Sequence, residues 1–205
     1  MPKHLKNPVS PDFHEALAYA SALHANQARK STEIPYVAHL LAVASIVLEA
    51  GGTEDEAIAA LLHDGPEDQG GEKTLEAIRR RFGDSVADVV AACSDTFEDP
   101  KPPWGARKRA YVEHLRTADR STLLVSAADK LHNARATLRD LQQHGAIVWR
   151  RFSATPQETL DNYRSLVDAY ESAEPDARRD AIVKELREVV ERMNGFFLQG
   201  HNKAE

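Results

Sequence analysis

Cysteine is nearly missing from this sequence: Cys93 is the only one. That excludes an intrachain disulfide and a zinc knuckle built on thiolates. Positive charge is not in excess either. With 26 Lys and Arg against 32 Asp and Glu, the formal net charge is −6, which argues against a general nucleic-acid binder, since phosphate backbones select basic surfaces. A small basic pocket on an acidic protein still suits a compact polyanionic substrate. No apolar run approaches the length of a membrane span, and the amino-terminal stretch MPKHLKNPVSPDF has no apolar core of a secretion signal. The expectation is a soluble, cytoplasmic protein with no membrane partner. Sustained two-residue alternation is absent as well, so no sheet is expected, and there are no repeats or low-complexity tracts.

What is there is helical periodicity, in a chain of 205 residues that is 42% hydrophobic and long enough to bury a substantial core. A first helix opens after Pro11, with Phe13, Leu17, Ala20 and Leu23/His24 on one face. A second, Tyr36 to Leu48, is apolar nearly all round and reads as central and buried. Thr53 and Glu56 form an S/T-x-x-E capping box for a third. Gly65-Pro66 then disfavours helix beyond His63-Asp64. Two short helices follow, parted at Gly83 with Asp84 as N-cap, and then the Pro-rich loop EDPKPPWGA. Helices near 105–118 and 121–142 come next. Thr155, Pro156 and Glu158 mark another start. A last helix runs from about Pro175 to Asn194, after the boundary candidate SAEPDARRD, and its charge makes it look like an appendage rather than a domain. The fold class expected is all-α, one domain over 1–205.

One stretch stands apart. LLHDGPEDQGG, residues 61–71, crowds three acids and an imidazole at the end of an apolar helix. Like charges repel and desolvation penalises them, so a positive partner is implied. His39 lies in the second helix. His63 and Asp64 sit at a helix end, where neighbouring side chains can aim at one point instead of diverging by about 100°. Asp129 lies in a helix whose preceding residues, Leu123, Leu124, Val125, Ala127 and Ala128, are apolar. Two histidines and two aspartates make a mixed nitrogen and oxygen set that suits Mn²⁺, Fe²⁺ or Zn²⁺ and leaves room for water.

These residues resemble the HD-domain metal phosphohydrolases, and more narrowly the hydrolase domain of RelA/SpoT homologues and their single-domain versions, the small alarmone hydrolases. HANQARKSTEIPYVAH (24–39) is similar to the family's H-x-G-Q-x-R-K-S-G-x-P-Y-x-x-H opening. ALLHDGPEDQGGEKTLEAIRRRFGDSVADVV resembles its A-L-L-H-D-x-x-E-D segment, and SAADKLHNARA its L-A-D-R/K-L-H-N-x-R segment, while RKRAYVEHL (107–115) is a weaker match. The resemblance spans roughly residues 13–170 and implies a helical HD-domain bundle, here with an additional C-terminal helix at about 175–197.

The resemblance implies that His39, His63, Asp64 and Asp129 are metal ligands, with Mn²⁺ the usual ion. It makes Glu67 and Asp68 the acidic pair that handles the catalytic water. Their places three and four residues after Asp64 let either return toward the ion without ligating it. Arg29, Lys30 and Ser31 match the segment lining the nucleotide and phosphate pocket, and Asn133 matches a polar nucleotide contact. Arg29, Lys30 and Lys108 offer countercharge for two phosphate groups. The implied activity removes the 3′-pyrophosphate from guanosine tetra- or pentaphosphate. The residues beyond the match are too few for a synthetase domain, so synthesis is expected elsewhere.

Several positions depart from the pattern: Asn26 for the glycine before Gln27, an extra residue between Ser31 and Pro35, Leu40 for a proline, Gly65-Pro66 inside HDxxED, and Ala136 for a threonine near the base. They leave guanine against adenine open, so (p)ppApp or a 3′-phosphorylated dinucleotide is the alternative substrate, and a non-catalytic nucleotide-binding module the more distant one. His24 and His132 lie beside matched residues and read as structural. Trp104 reads as a ring pinning its loop, and Cys93 as a packing residue.

Overall fold

The computed structural model describes residues 9–96 and 100–201. Ser10 accepts the amide of Asp12 and Pro11 fills the first turn, so helix α1 (Pro11–Leu23) begins where its first orphan donors are satisfied. Its buried residues are the small Ala16 and Ala20, which let it close against the third helix, while Phe13 and Leu17 are only partly covered. Helix α2 (Val37–Glu49) buries Leu40, Val43, Ala44 and Val47. Leu41 and Leu48 on its other face are 46% and 39% exposed, so α2 is not buried all round as its apolar sequence leads one to expect. The central helix is α3 (Glu54–Leu62), in which every residue from Glu56 to Leu62 is buried.

The α2–α3 connection is tight. A Cβ on Gly52 would stand 2.5 Å from the Val47 side chain and 2.8 Å from its carbonyl oxygen, so only glycine fits. Thr53 and Glu56 then form the capping box in full, each side chain bonding the other's backbone N–H. After α3 come the one-turn α4 (Gly65–Asp68) and α5 (Glu72–Cys93), which is broken at Gly83 (φ 87°, ψ 173°) as the sequence predicts. Asp84 beyond the break accepts the Arg79 guanidinium.

Helices α6 (Trp104–Leu115), α7 (Arg120–His144) and α8 (Pro156–Ser172) follow, with a 3-10 turn at Gly145–Arg151 that periodicity does not announce. Glu98 and Asp99 of the Pro-rich loop lie outside the described residues. Helix α7 buries thirteen residues and touches α2, α3, α5 and the last helix. That last helix, α9 (Ala177–His201), is no appendage. Ile182, Val183, Leu186, Val189, Val190 and Met193 recur at helical spacing and are buried along α7 and α8. Each such side chain contributes about 1.5–3 kcal/mol on burial. The abundant charges that set it apart in the sequence belong to its solvent face. Among the described residues the only β-type pairing is an isolated bridge between Ala28 and Pro35, and no helix is long and apolar enough to cross a membrane.

Candidate metal centre and its acidic flank

The centre forms where three helices deliver side chains to one point. His39 is the third residue of α2, His63 caps the end of α3, and Asp129 lies midway along α7. Helix α3 stops at Leu62 because Pro66 has no N–H to offer and its ring would clash with the carbonyl four residues back. His63 and Asp64 therefore sit in a turn, and both turn inward. The chain re-enters α4 at Gly65, where a Cβ would stand 3.0 Å from Leu23, so this turn is pressed against α1.

His39 Nε2 lies 3.3 Å from Asp64 Oδ2 and 3.2 Å from Asp129 Oδ1. His63 Nε2 lies 3.1 Å and 3.6 Å from the same two oxygens. One ligand atom each from His39, His63 and Asp129 falls within 4.8 Å of the others. Both imidazole Nε2 atoms are sealed from solvent and have no hydrogen-bond partner. The outer edges of the rings are satisfied instead: His63 Nδ1 bonds Ala60 O at 2.8 Å, and His39 Nδ1 meets His132 Nδ1 at 2.7 Å. The carbonyl can only accept, so His63 carries its proton on Nδ1 and its neutral ring turns the Nε2 lone pair inward; His39 does the same where its Nδ1 is the donor to His132.

The carboxylates are held just as firmly. Asp64 Oδ2 accepts the Tyr36 hydroxyl at 2.7 Å, and Asp129 accepts Asn133 Nδ2 on Oδ1 and Lys130 Nζ on Oδ2, both at 2.5 Å. Burial alone would lower the His63 pKa, but the Asp64 and Asp129 carboxylates hold it well above the ordinary imidazole value. Burial would raise both aspartates, yet Asp64 is drawn well below the usual carboxylate range by His63 and His39, and Asp129 by Lys130 and the same histidines. The acids call for positive charge at this spot, which a proton on His63 or a cation can supply, and the two imidazoles, once neutral, offer a cation their Nε2 nitrogens. A divalent cation meets both demands, so the residues present fit one.

The acidic pair of α4 splits. Glu67 accepts Lys101 Nζ (2.9 Å) and the backbone N–H of Asp95 (3.1 Å), whereas Asp68 accepts Gln27 Nε2 at 2.7 Å. Partial desolvation, and then the neighbouring Asp64 and Glu67 carboxylates, raise the Asp68 pKa against the pull of Gln27 and Lys101.

Of the residues expected at phosphate, Arg29 and Asn133 are joined: Arg29 Nη2 donates to Asn133 Oδ1 at 2.7 Å, and Asn133 in turn donates to Asp129. Lys30 and Ser31 are exposed at the tip of the α1–α2 turn, Ser31 in the left-handed region at φ 60°. Lys108 is placed elsewhere, bonding the buried Asp95 at 3.0 Å beside Arg107. Tyr36, Lys130 and Gln27 escape the sequence reading, and His132 is not merely structural packing but lies against His39. Two of these had a spacing signal: Tyr36 precedes His39 by three and His132 follows Asp129 by three, the same-face separation on a helix.

The HD domain family matches residues 16–167 of this chain. The guanosine-3′,5′-bis(diphosphate) 3′-pyrophosphohydrolase of Xenopus tropicalis is 40% identical over 132 residues, which is 63% of this chain and 69% of that protein. Its counterpart in Danio rerio is 37% identical over 132 residues, 63% of this chain and 68% of the relative. Among solved structures, one described as a metazoan orthologue of SpoT that hydrolyses ppGpp superposes with a TM-score of 0.66 at 30% identity, covering 88% of this chain and 98% of that one.

Proposed function

Because the chain belongs to the HD domain family, we propose that it is a metal-dependent small alarmone hydrolase that removes the 3′-pyrophosphate from (p)ppGpp-type nucleotides in the cytoplasm. The family, the named relatives and the helical fold support that reading. The observation that carries it is the pair of buried, unpartnered Nε2 atoms of His39 and His63 facing Asp64 and Asp129. In this proposal residues 13–170 are the hydrolase core and α9 is its helical extension within one domain.

His39, His63, Asp64 and Asp129 would hold the cation, which we take to be Mn²⁺. When bound, it supplies Lewis acidity and lowers the pKa of water from 15.7 toward about 7. The protein does the rest. Asp68 takes the water proton on Oδ1, since its Oδ2 already accepts Gln27. Glu67 shares the handling of that water, and Lys101 and the Asp95 amide fix its place. Tyr36 donates to Asp64 and keeps that carboxylate turned inward. Arg29, steadied by Asn133, grips phosphate with its planar guanidinium, and Lys30 and Ser31 complete the substrate contacts, while Lys108 stays with Asp95. Water adds at the phosphorus attached to the 3′ oxygen and its proton passes to Asp68; the bond from that phosphorus to the 3′ oxygen breaks, the 3′ oxygen takes up a proton from Asp68 or solvent, and ppGpp yields pyrophosphate and GDP.

Product analysis of ppGpp and ppApp incubated with Mn²⁺-loaded protein tests this. Pyrophosphate with GDP or ADP is expected, and the faster of the two identifies the base. Orthophosphate as the sole released ion, or no turnover of either nucleotide, overturns it.

A further inference from the structure

We propose that Gln27 is a positioning residue: its amide holds the Asp68 carboxylate in its working orientation, and His24 and Gln69 keep that amide from turning over. This rests on the assignment of Asp68 as a proton acceptor. The need arises from α4. Asp68 ends a helix of four residues, is exposed, and is followed by Gly70 and Gly71, both at positive φ (112° and 61°). Nothing within that turn restrains its side chain, so the restraint comes from another element.

Gln27 supplies it with an amide bonded at both its oxygen and its nitrogen. Its Oε1 accepts His24 Nδ1 at 2.7 Å and Gln69 Nε2 at 2.5 Å, and its Nε2 donates to Asp68 Oδ2 at 2.7 Å. Reversal would set two NH₂ groups against each other at Gln69 and two oxygens against each other at Asp68, so only one orientation is permitted. His24 cannot swing aside. It is 2% exposed and stacks on Tyr36, with ring centroids 5.1 Å apart and planes 14° apart. The Gln27 backbone is pinned as well: its N–H donates to His24 O at 3.0 Å and its carbonyl accepts Tyr36 N–H at 2.9 Å. One short connection between α1 and α2 thus grips both acids, Tyr36 taking Asp64 and Gln27 taking Asp68.

The titratable groups facing Asp68 are Asp64, Glu67, Lys101 and the Tyr36 hydroxyl. A donor favours the ionised carboxylate, so its loss leaves the two acids less opposed and moves Asp68 upward.

The test is Gln27→Met, which keeps length and removes the donor. A fall in kcat of about tenfold or more is expected, the usual scale for an orienting partner, with KM within about twofold, full metal content, and the acid limb of the kcat–pH profile moved to higher pH. Gln69→Met should act in the same direction and more weakly, and it decides the question if Gln27→Met fails to fold. Asp68→Asn is measured beside them. If Asp68→Asn turns over normally, the assignment of Asp68 has failed. If it is impaired while Gln27→Met keeps the wild-type kcat and acid limb, or loses only KM or metal, the positioning role is overturned. In the Asp68→Asn background Gln27→Met should cost nothing further, and a full additional loss also overturns it.

Discussion

Helix α3 carries buried charge at both ends, resolved in opposite ways. At its start Glu56 is 3% exposed, yet the protein itself provides its partners. Thr53 N–H donates at 2.6 Å, Ser121 Oγ at 2.8 Å, and Arg178 Nη1 reaches both oxygens at 3.0 and 3.3 Å. Arg178 is in turn held by Asp176. Just past its other end His63, also nearly inaccessible, is bonded only on its outer nitrogen, and its inner one faces two carboxylates unpartnered. The closed cluster ties α3 to α7 and α9. The open one brings the same number of elements together and leaves its bonding capacity unspent. Buried polarity satisfied by the protein is architecture, whereas two histidines and two carboxylates converging on one point fit a cation.

The sharpest way to break that contrast is at the open end. Asp129→Ala should lose both bound metal and turnover. EDTA should abolish activity in the unaltered protein and lower its melting temperature, with Mn²⁺ restoring both. At a free ion concentration a hundred times Kd the stabilisation is about 2.7 kcal/mol, or roughly 5–10 °C for a chain of this size. Differential scanning calorimetry with metal analysis reads this. Full turnover of metal-free protein would falsify the reading of this end as a cation site.

Glu67→Gln comes next. It keeps shape and some hydrogen bonding but loses the negative charge with which Glu67 orients the water whose proton Asp68 takes, so kcat should fall by about 10²–10⁴ with metal and substrate still bound. A variant that arrives without metal makes Glu67 a ligand. A variant that binds metal and turns over normally makes its bonds to Lys101 and Asp95 its whole purpose.

Helix starts are the most legible part of this chain. Ser10, Thr53 and Thr155 each satisfy nearby amides, a local matter that sequence states directly. The gathering of His39, His63, Asp64 and Asp129 is legible because polar residues in apolar surroundings, beside a proline that must end a helix, have few alternatives. Which helix is central is not. Helix α2 is more apolar than α3, but burial is decided by what packs around a helix, and Leu41 and Leu48 face outward. Nor do Gln27 and Lys130 declare themselves, since their partners arrive through the fold or through a rotamer. The charge of α9 misleads for the converse reason, since a helix can be charged on one face and wholly committed on the other.

The closed end should answer in stability alone. Arg178→Met leaves Glu56 two donors and Arg178 is partly exposed, so the cost stays below the 3–5 kcal/mol of a fully buried pair, at about 2 kcal/mol. Turnover per folded molecule and metal content should not change. Arg178 also holds the Asp176 carboxyl below its ordinary range. A depressed carboxylate contributes stability above its unfolded pKa and loses it as pH falls through the folded value. The variant should therefore lose part of the acid-side dependence in melting experiments. A fall in kcat without a fall in stability would mean the two ends of α3 are not separable.

The smallest effect is expected at the second T-x-x-E box, Thr155 and Glu158, which has the same sequence pattern as Thr53 and Glu56. There the Glu158 carboxylate accepts Thr155 N–H and Oγ1–H at 2.8 Å, entirely in solvent, with no helix beyond its own to hold. Hydrogen bonding by the Thr155 backbone and then its side chain lowers the Glu158 pKa. Its contribution is thus complete above the unfolded carboxylate value and disappears as pH drops through the lower, folded one. Glu158→Gln retains a weaker acceptor, so at neutral pH its melting temperature should fall only slightly, and at acid pH it should converge on the unaltered protein. Glu56→Gln, in the same motif, should cost far more because it also weakens the bonds to Ser121 and Arg178. If the two substitutions prove equal, capping alone sets the worth of Glu56, and its ties to α7 and α9 contribute nothing.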